Sequence, residues 1–295
     1  MRFFIILITL FCIFLLGYYL LKTKNEKIMY HWIESLTTCP KADSSRYPKP
    51  NTDALALFNK AAKADSARPK TTPQEEIVKL YQQAANMGYW LAIHNLAMSY
   101  YLGDGIEEDG KKALYWFKEI EKLDIPEGYT NMALVYRKGI GVPIDSDKSR
   151  DYMIKAAQAG DVDSQFYLAH DLYGQQNQNS KFQGYALKLW QCAAEQGHKQ
   201  AHFFLAIHYE AVEQFPLAYR YYLLGAKAGD EDCLSSLSDA YEHSPKSQTF
   251  NLKQDKVRGQ CLFMLSRKVR DNPNLTFPDL DTLCPGTVPQ PNEMK

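Results

Sequence analysis

His198 and His202, in the run Gly197-His198-Lys199-Gln200-Ala201-His202, stand at the i, i+4 spacing that lets two imidazoles on one helix share a metal ion. A zinc site needs at least a third protein ligand, and none lies near in sequence, so the pair reads as two histidines at a solvated helix start. His170-Asp171 has the form of half a hydrolytic dyad, but no nucleophile motif of the Gly-x-Ser-x-Gly kind accompanies it. No Walker loop, dinucleotide fingerprint or His-Glu-x-x-His is present. Gly103-Asp104-Gly105 is turn chemistry and not a phosphate cradle, and Arg267, Lys268 and Arg270 suit a solvated helix end where cations meet the macrodipole. The sequence therefore assigns no catalytic residue, no metal ligand and no cofactor site, and it points away from an enzyme.

The elements that carry these residues repeat. From Gly88 the chain reads GYWLAIHNLAMSYYLGDGIEEDGKKALYWFKEIEKL, and from Asp124, 36 residues on, DIPEGYTNMALVYRKGIGVPIDSDKSRDYMIKAAQA. Ala92 matches Gly128, Leu96-Ala97 match Met132-Ala133, Tyr100 matches Tyr136, Gly103 and Gly105 match Gly139 and Gly141, and Asp109 matches Asp145. A fixed period of this length marks stacked repeats. Ala92, Leu96 and Tyr100 lie four apart on one face of a first helix. Ala113, Trp116 and Phe117 share one face of a second, where Trp116 is expected in the core. The Gly-x-Gly between them frees the backbone for a tight helix–helix turn. The fold class is all-α: a right-handed α-solenoid of helical hairpins behind an N-terminal transmembrane anchor.

These motifs resemble the Sel1-like repeat (SLR), the longer-looped relative of the tetratricopeptide repeat. AIHNLAMSYYLGDGIEEDGKKALYWF follows that pattern almost throughout, and GYTNMALVYRKGIGVPID with YMIKAAQAG follows it again. The resemblance implies fold and not function.

Equal numbers of basic and acidic residues, 34 each, leave no global field to draw in nucleic acid. Phe3–Leu21 is an uncharged run of 19 residues, followed by Lys22, Lys24 and Lys27. That length just spans a bilayer core. A cleavable signal peptide is the alternative, though no Ala-x-Ala-like site closes the run. The lysines after it would keep that side cytoplasmic, whereas the short N-terminus suits a signal anchor that exports its domain, and export is the reading adopted. Residues 1–23 are thus the anchor, 24–50 a tether, 51–270 the solenoid of about five repeats with first and last degenerate, and 271–295 a proline-rich strap. In the degenerate first repeat, Asn51-Thr52-Asp53 caps one helix and Thr72-Pro73 opens the next. The third repeat replaces the Gly-x-Gly turn by a polar Gln/Asn loop, the fourth drops the loop, and the fifth pairs EDCLSSLSDAYE with VRGQCLFMLSRKVRDN.

Six cysteines, at 12, 39, 192, 233, 261 and 284, form no Cys-x-x-Cys pair. Cys192 and Cys233 replace repeat residues on helices and are expected to be buried. Cys39 and Cys284 both precede proline outside the repeats; in an exported domain they either bridge tether to strap or remain two free thiols.

Counted within each repeat, a second stripe runs about 140° from the core stripe along the first helices. It comprises Leu91, Asn95, Met98 and Leu102, then Asn131, Leu134 and Lys138, then Tyr167 and His170, then Phe204 and Ile207, with Tyr101, Arg137 and Tyr173 beside it. The candidate partner-binding residues are Asn95, Met98, Tyr101, Asn131, Leu134, Arg137, Tyr167, His170, Phe204 and Ile207. Large apolar side chains outside the core stripe signal either a partner or packing between neighbouring helices.

The N-terminal apolar run, CAAEQGH, LLGAKAGDEDCLSSLSDAYE and the ending RDNPNLTFPDLDTLCPG together resemble the SLR immunity proteins that neutralise lipases and phospholipases delivered by type VI secretion. That resemblance implies a protein partner, namely the cognate lipase or phospholipase effector, no nucleic acid and no small-molecule substrate. It also implies residence at the inner membrane with the domain in the periplasm. A membrane-anchored scaffold that organises an envelope complex is the alternative.

Overall fold

The computed structural model describes residues 27–67, 69, 71–175, 180–242, 250 and 252–286. The expected transmembrane run lies outside these residues; among the described residues, no helix is long and apolar enough to cross a membrane. Every regular element described is helical. The chain divides into two compact units, Met1–Ser164 and Gln165–Lys295.

In the first unit, α1 (27–35) precedes a single 3-10 turn at Ser44–Arg46 and the helices α2 (Thr52–Ser66), α3 (Gln74–Asn86), α4 (Trp90–Leu102), α5 (Gly110–Glu121), α6 (Pro126–Lys138) and α7 (Ser146–Gln158). From α2 to α7 each helix packs on its neighbour in sequence. The two matched repeats use the same contacts. Asp109 accepts from the N–H groups of Lys111 and Lys112, and Asp145 accepts from that of Lys148, so each aspartate caps the second helix of its hairpin. Their own N–H groups bond the carbonyls of Tyr100 and Tyr136 at 2.8 and 2.9 Å, closing the loop on the first helix. Lys112 and Lys148 then lie over those tyrosine rings at 5.3 and 5.1 Å. Gly141 has φ +67°, and a Cβ there would overlap the Gly110 carbonyl, so only glycine lets adjacent loops stack.

The repeat boundary is also set by backbone geometry. Residues that follow the closing glycines reach back along the preceding helix, as in Asp161 N–H to Ala156 O at 2.9 Å and Tyr89 N–H to Ala84 O at 3.2 Å. Asp124 holds the same place with φ +55° and no glycine. Arg46 pairs with its carboxylate at 3.0 Å and the Tyr129 hydroxyl donates to it, which offsets part of the left-handed cost.

Residues 27–50, expected as a tether, contain two side chains withdrawn from solvent, Met29 and Ile33. Further along, the Tyr47 hydroxyl donates to Glu127 at 2.9 Å and its ring meets Trp90 at 5.7 Å. Trp116 does not take its expected core place. Ala113, Phe117 and Ile120, at i, i+4 and i+7, fill the middle of that face, and Trp116 is half-buried at its edge against Tyr115.

The second unit contains most of α8 (Val162–Gly174), then α9 (Ser180–Glu195), α10 (Lys199–Ala211), α11 (Phe215–Ala228), α12 (Glu231–Glu242), α13 (Lys256–Asp271) and a one-turn α14 (Leu280–Leu283). Cys233 is buried and free, and Cys192 is buried and disulfide-bonded; Cys39, half-buried, is disulfide-bonded too. Cys284 does not bridge to Cys39: it is joined to Cys261 on α13, whose Cα lies 5.6 Å away. The helix brings Cys261 to the strap because Arg258, one turn earlier, holds it there. Arg258 is buried, donates to Cys284 O at 2.5 Å and to Asp281 at 2.8 Å, and lies 5.1 Å from the Tyr241 ring centroid. Lys227 pairs with the same aspartate at 2.9 Å, and Phe277 N–H donates to Lys227 O at 2.7 Å.

Candidate protein-interaction face

The expected stripe behaves differently in the two units. On α4 and α6, Met98, Tyr101 and Leu134 are half-buried against the core of the first unit, and Asn95 is half-buried as well. Asn131 is buried, with His94 Nδ1 donating to its Oδ1 at 3.1 Å. The carbonyl oxygen can only accept, so the imidazole carries its proton on Nδ1, and burial holds its pKa below the ordinary histidine value. Arg137 and Leu102 are exposed, Leu102 by 61%. Here the stripe is mostly packing between neighbouring helices.

On α8 and α10 it forms a surface. Phe204 is a half-buried floor, its ring 5.5 Å from Phe166, 5.3 Å from His170 and 5.1 Å from Trp190, the last stacked. Trp190 is only 1% exposed. Above this floor stand Tyr167, 57% exposed, Ile207, 37% exposed, and His170, also exposed. Tyr167 meets Phe166 edge-on at 5.3 Å, so the exposed ring is held from beneath. Beside them the Tyr173 hydroxyl and His208 Nδ1 are hydrogen-bonded at 3.2 Å, and burial lowers the His208 pKa. An aromatic cluster with one side in the core and the other in water presents large rigid contact area at small entropic cost, which is the chemistry of protein recognition.

The residues considered for chemistry serve packing. His202 is buried with Nδ1 3.3 Å from Lys199 O, and burial lowers its pKa. The His198 ring stacks on Phe166 at 4.0 Å. Asp171 accepts a hydrogen bond from Gln175 at 3.1 Å. Among the described residues, no group of three His, Cys, Asp or Glu side chains could hold a metal ion.

Sequence reasoning missed His94, Phe166 and Trp190, which support the stripe. A signal was available. His94 and Asn131 are 37 residues apart, and Tyr173 and His208 are 35 apart, so partners recur near the repeat period.

Comparison with known proteins bears on the fold and the family. The crystal structure of an immunity protein from Pseudomonas aeruginosa, PA5088, is 25% identical, covers 85% of this chain and 94% of its own, and superposes with a TM-score of 0.62. A second from that organism, immunity protein Pa5087, is 27% identical over 85% of this chain and 94% of its own, at 0.58. An uncharacterized protein of Neisseria meningitidis, NMB1327, is 32% identical over 173 residues, which are 58% of this chain and 36% of that protein. The chain spans little more than a third of that curated relative and 16% of the other it matches. The family model described as Sel1 repeat matches residues 50–66, 78–89, 90–121, 126–161, 162–198 and 199–230. These spans take in more than half of the residues, and the chain belongs to the Sel1 repeat family.

Proposed function

We propose that the chain is an immunity protein that binds and inhibits a cognate toxic lipase or phospholipase effector of type VI secretion, on the periplasmic side of the inner membrane. The reading is carried by its likeness, over 85% of its length, to two immunity proteins of Pseudomonas aeruginosa. The exposed aromatic face on α8 and α10 is the contact surface in this reading, and the chain acts by occlusion and not by catalysis. The disulfide between Cys261 and Cys284 supports export, because such bonds persist in oxidising compartments. The apolar run Phe3–Leu21 serves as the anchor.

The test is protection. Cells that export a candidate type VI phospholipase effector should survive when the chain is co-expressed and die without it, and protection from none of the phospholipases tested would count against the reading. Tyr167→Ala should weaken binding of the purified toxin about thirtyfold and reduce protection, while melting as wild type, since the ring is exposed. An alkaline phosphatase fused to the C-terminus should be active. A folded Tyr167→Ala variant that still protects would move the contact off this face. An inactive fusion would overturn the location and with it the toxin encounter.

A further inference from the structure

The first hairpin has a feature that the aromatic face does not use. Between α2 and α3 lies a solvent-open hollow of about 550 Å³, lined by the exposed Lys60 and Lys63 from one helix and the exposed Lys79 from the other. Among the described residues of its wall Glu76 is the one carboxylate, Thr71 and Thr72 add hydroxyls, and Leu80 supplies an apolar patch. Among the described residues, none of the three lysines is engaged in an ion pair. In a chain whose formal net charge is zero, the described residues of this wall carry three cations against one anion.

We propose that this cavity binds a phosphate monoester with a short carbon skeleton. Like charges gathered round one space repel each other, and an entering anion turns that repulsion into attraction. The excess of two positive charges matches the charge of about −1.5 to −2 that a phosphate monoester carries at neutral pH. The volume falls within the roughly 300–1,000 Å³ of small-molecule sites, larger than a bare phosphate needs, and Leu80 gives the carbon skeleton a surface to cover. The same chemistry comes from a free phosphate ester or from a monoester lipid headgroup. An acidic protein segment would also be attracted, but a concave cavity suits a compact ligand better than a chain.

The test uses the full chain in neutral detergent. Glycerol 3-phosphate should bind saturably and more tightly than inorganic phosphate. Lys60→Gln, Lys63→Gln and Lys79→Gln should each weaken it about threefold, and the triple variant about thirtyfold. Glu76→Gln should tighten it about threefold, a gain that a misfolded variant could not produce. Each variant should melt as wild type. Micelles doped with phosphatidic acid separate the sources. Tighter binding to them than to glycerol 3-phosphate identifies the lipid headgroup, and equal or weaker binding identifies the free ester. No saturable binding, lysine variants that bind like wild type, or a hexaglutamate peptide that binds more tightly than either ester would each overturn the proposal. Protection against the toxin is scored separately, so this site and the aromatic face fail independently.

Discussion

The two units solve the same problem in different ways. In Met1–Ser164 the α4–α5 and α6–α7 hairpins are held by a repeated device: an aspartate cap, a bond back to a tyrosine carbonyl and a lysine over that tyrosine ring. In Gln165–Lys295 the first of those loops becomes a Gln/Asn-rich stretch and the next disappears. There, Phe166, Trp190 and Phe204 join rings across helices. The first unit's device returns at the last hairpin, where Asp255 caps α13, its N–H bonds Tyr241 O, and Arg258 lies over that tyrosine ring beside the disulfide. The difference teaches that the repeat's loop signature is one way to register two helices and aromatic side chains are another. Tyr115 in the first unit is as exposed as Tyr167, but Tyr167 stands over a connected cluster of rings, and the candidate interaction face lies there, where the loop signature is weakest.

The comparison can be broken most directly at its two tryptophans. Trp190→Ala should cost about 3–5 kcal/mol in thermal or urea unfolding, because it opens a cavity beneath Phe204. Trp116→Ala, at the edge of the α5 core face, should cost no more than about 2 kcal/mol. Equal losses would mean that the first unit leans on its aromatic residue as heavily as the second. Next in size is the covalent clasp. Replacing both Cys261 and Cys284 by serine should destabilise the second unit by about 3 kcal/mol. Hydrogen exchange should rise in α13 and α14 while α4 to α7 keep their protection; a rise in both would show the clasp supporting the whole chain.

Smaller effects sharpen the contrast. Asp109→Ala removes a helix cap and should cost about 1 kcal/mol, read as a lowered melting temperature, and Asp145→Ala should cost nearly as much, since its carboxylate caps α7 in the same way with one backbone donor fewer. A clear inequality would show that the matched repeats are alike in form only. Acid should separate the units least. Burial lowers the pKa of His94 in the first unit and of His202 and His208 in the second. A base with a depressed folded pKa binds more protons when unfolded, so its stability contribution is present above the unfolded value of 6.5 and is lost as pH falls below it. Stability should therefore decline on acidification below that value, more steeply in the second unit, and His208→Gln should flatten the decline. A pH profile unaffected by that change would show that His208 does not carry the effect.

Much of the fold was legible because it is periodic. Ala92, Leu96 and Tyr100 gave the core face of α4, and the glycine pairs marked the turns that follow α4 and α6, whereas the capping role of the matched Asp109 and Asp145 came from the structure. Such signals are local: a cap, a left-handed glycine or a helical spacing acts within a few residues. Trp116 was misplaced because spacing names a face but not which member takes its centre, which Ala113, Phe117 and Ile120 occupy. Cys284 could not be paired from sequence, since proximity to proline says nothing of distance, whereas Arg258 and Asp281 bring the strap to Cys261.

The candidate face divides in the same manner. Sequence by itself determined that Tyr167, His170, Phe204 and Ile207 share a stripe off the core, because a helix turns by a constant angle per residue. It equally placed Met98, Asn131 and Leu134 on that stripe, and nothing in their types set them apart. Tertiary structure alone decided that neighbouring helices cover these three while Tyr167, His170 and Ile207 stay in water. It also brought Lys60, Lys63 and Lys79 round one cavity from two helices. Periodicity is a property of one helix, but exposure and convergence depend on the distance to the next, which side-chain volumes at the interface set.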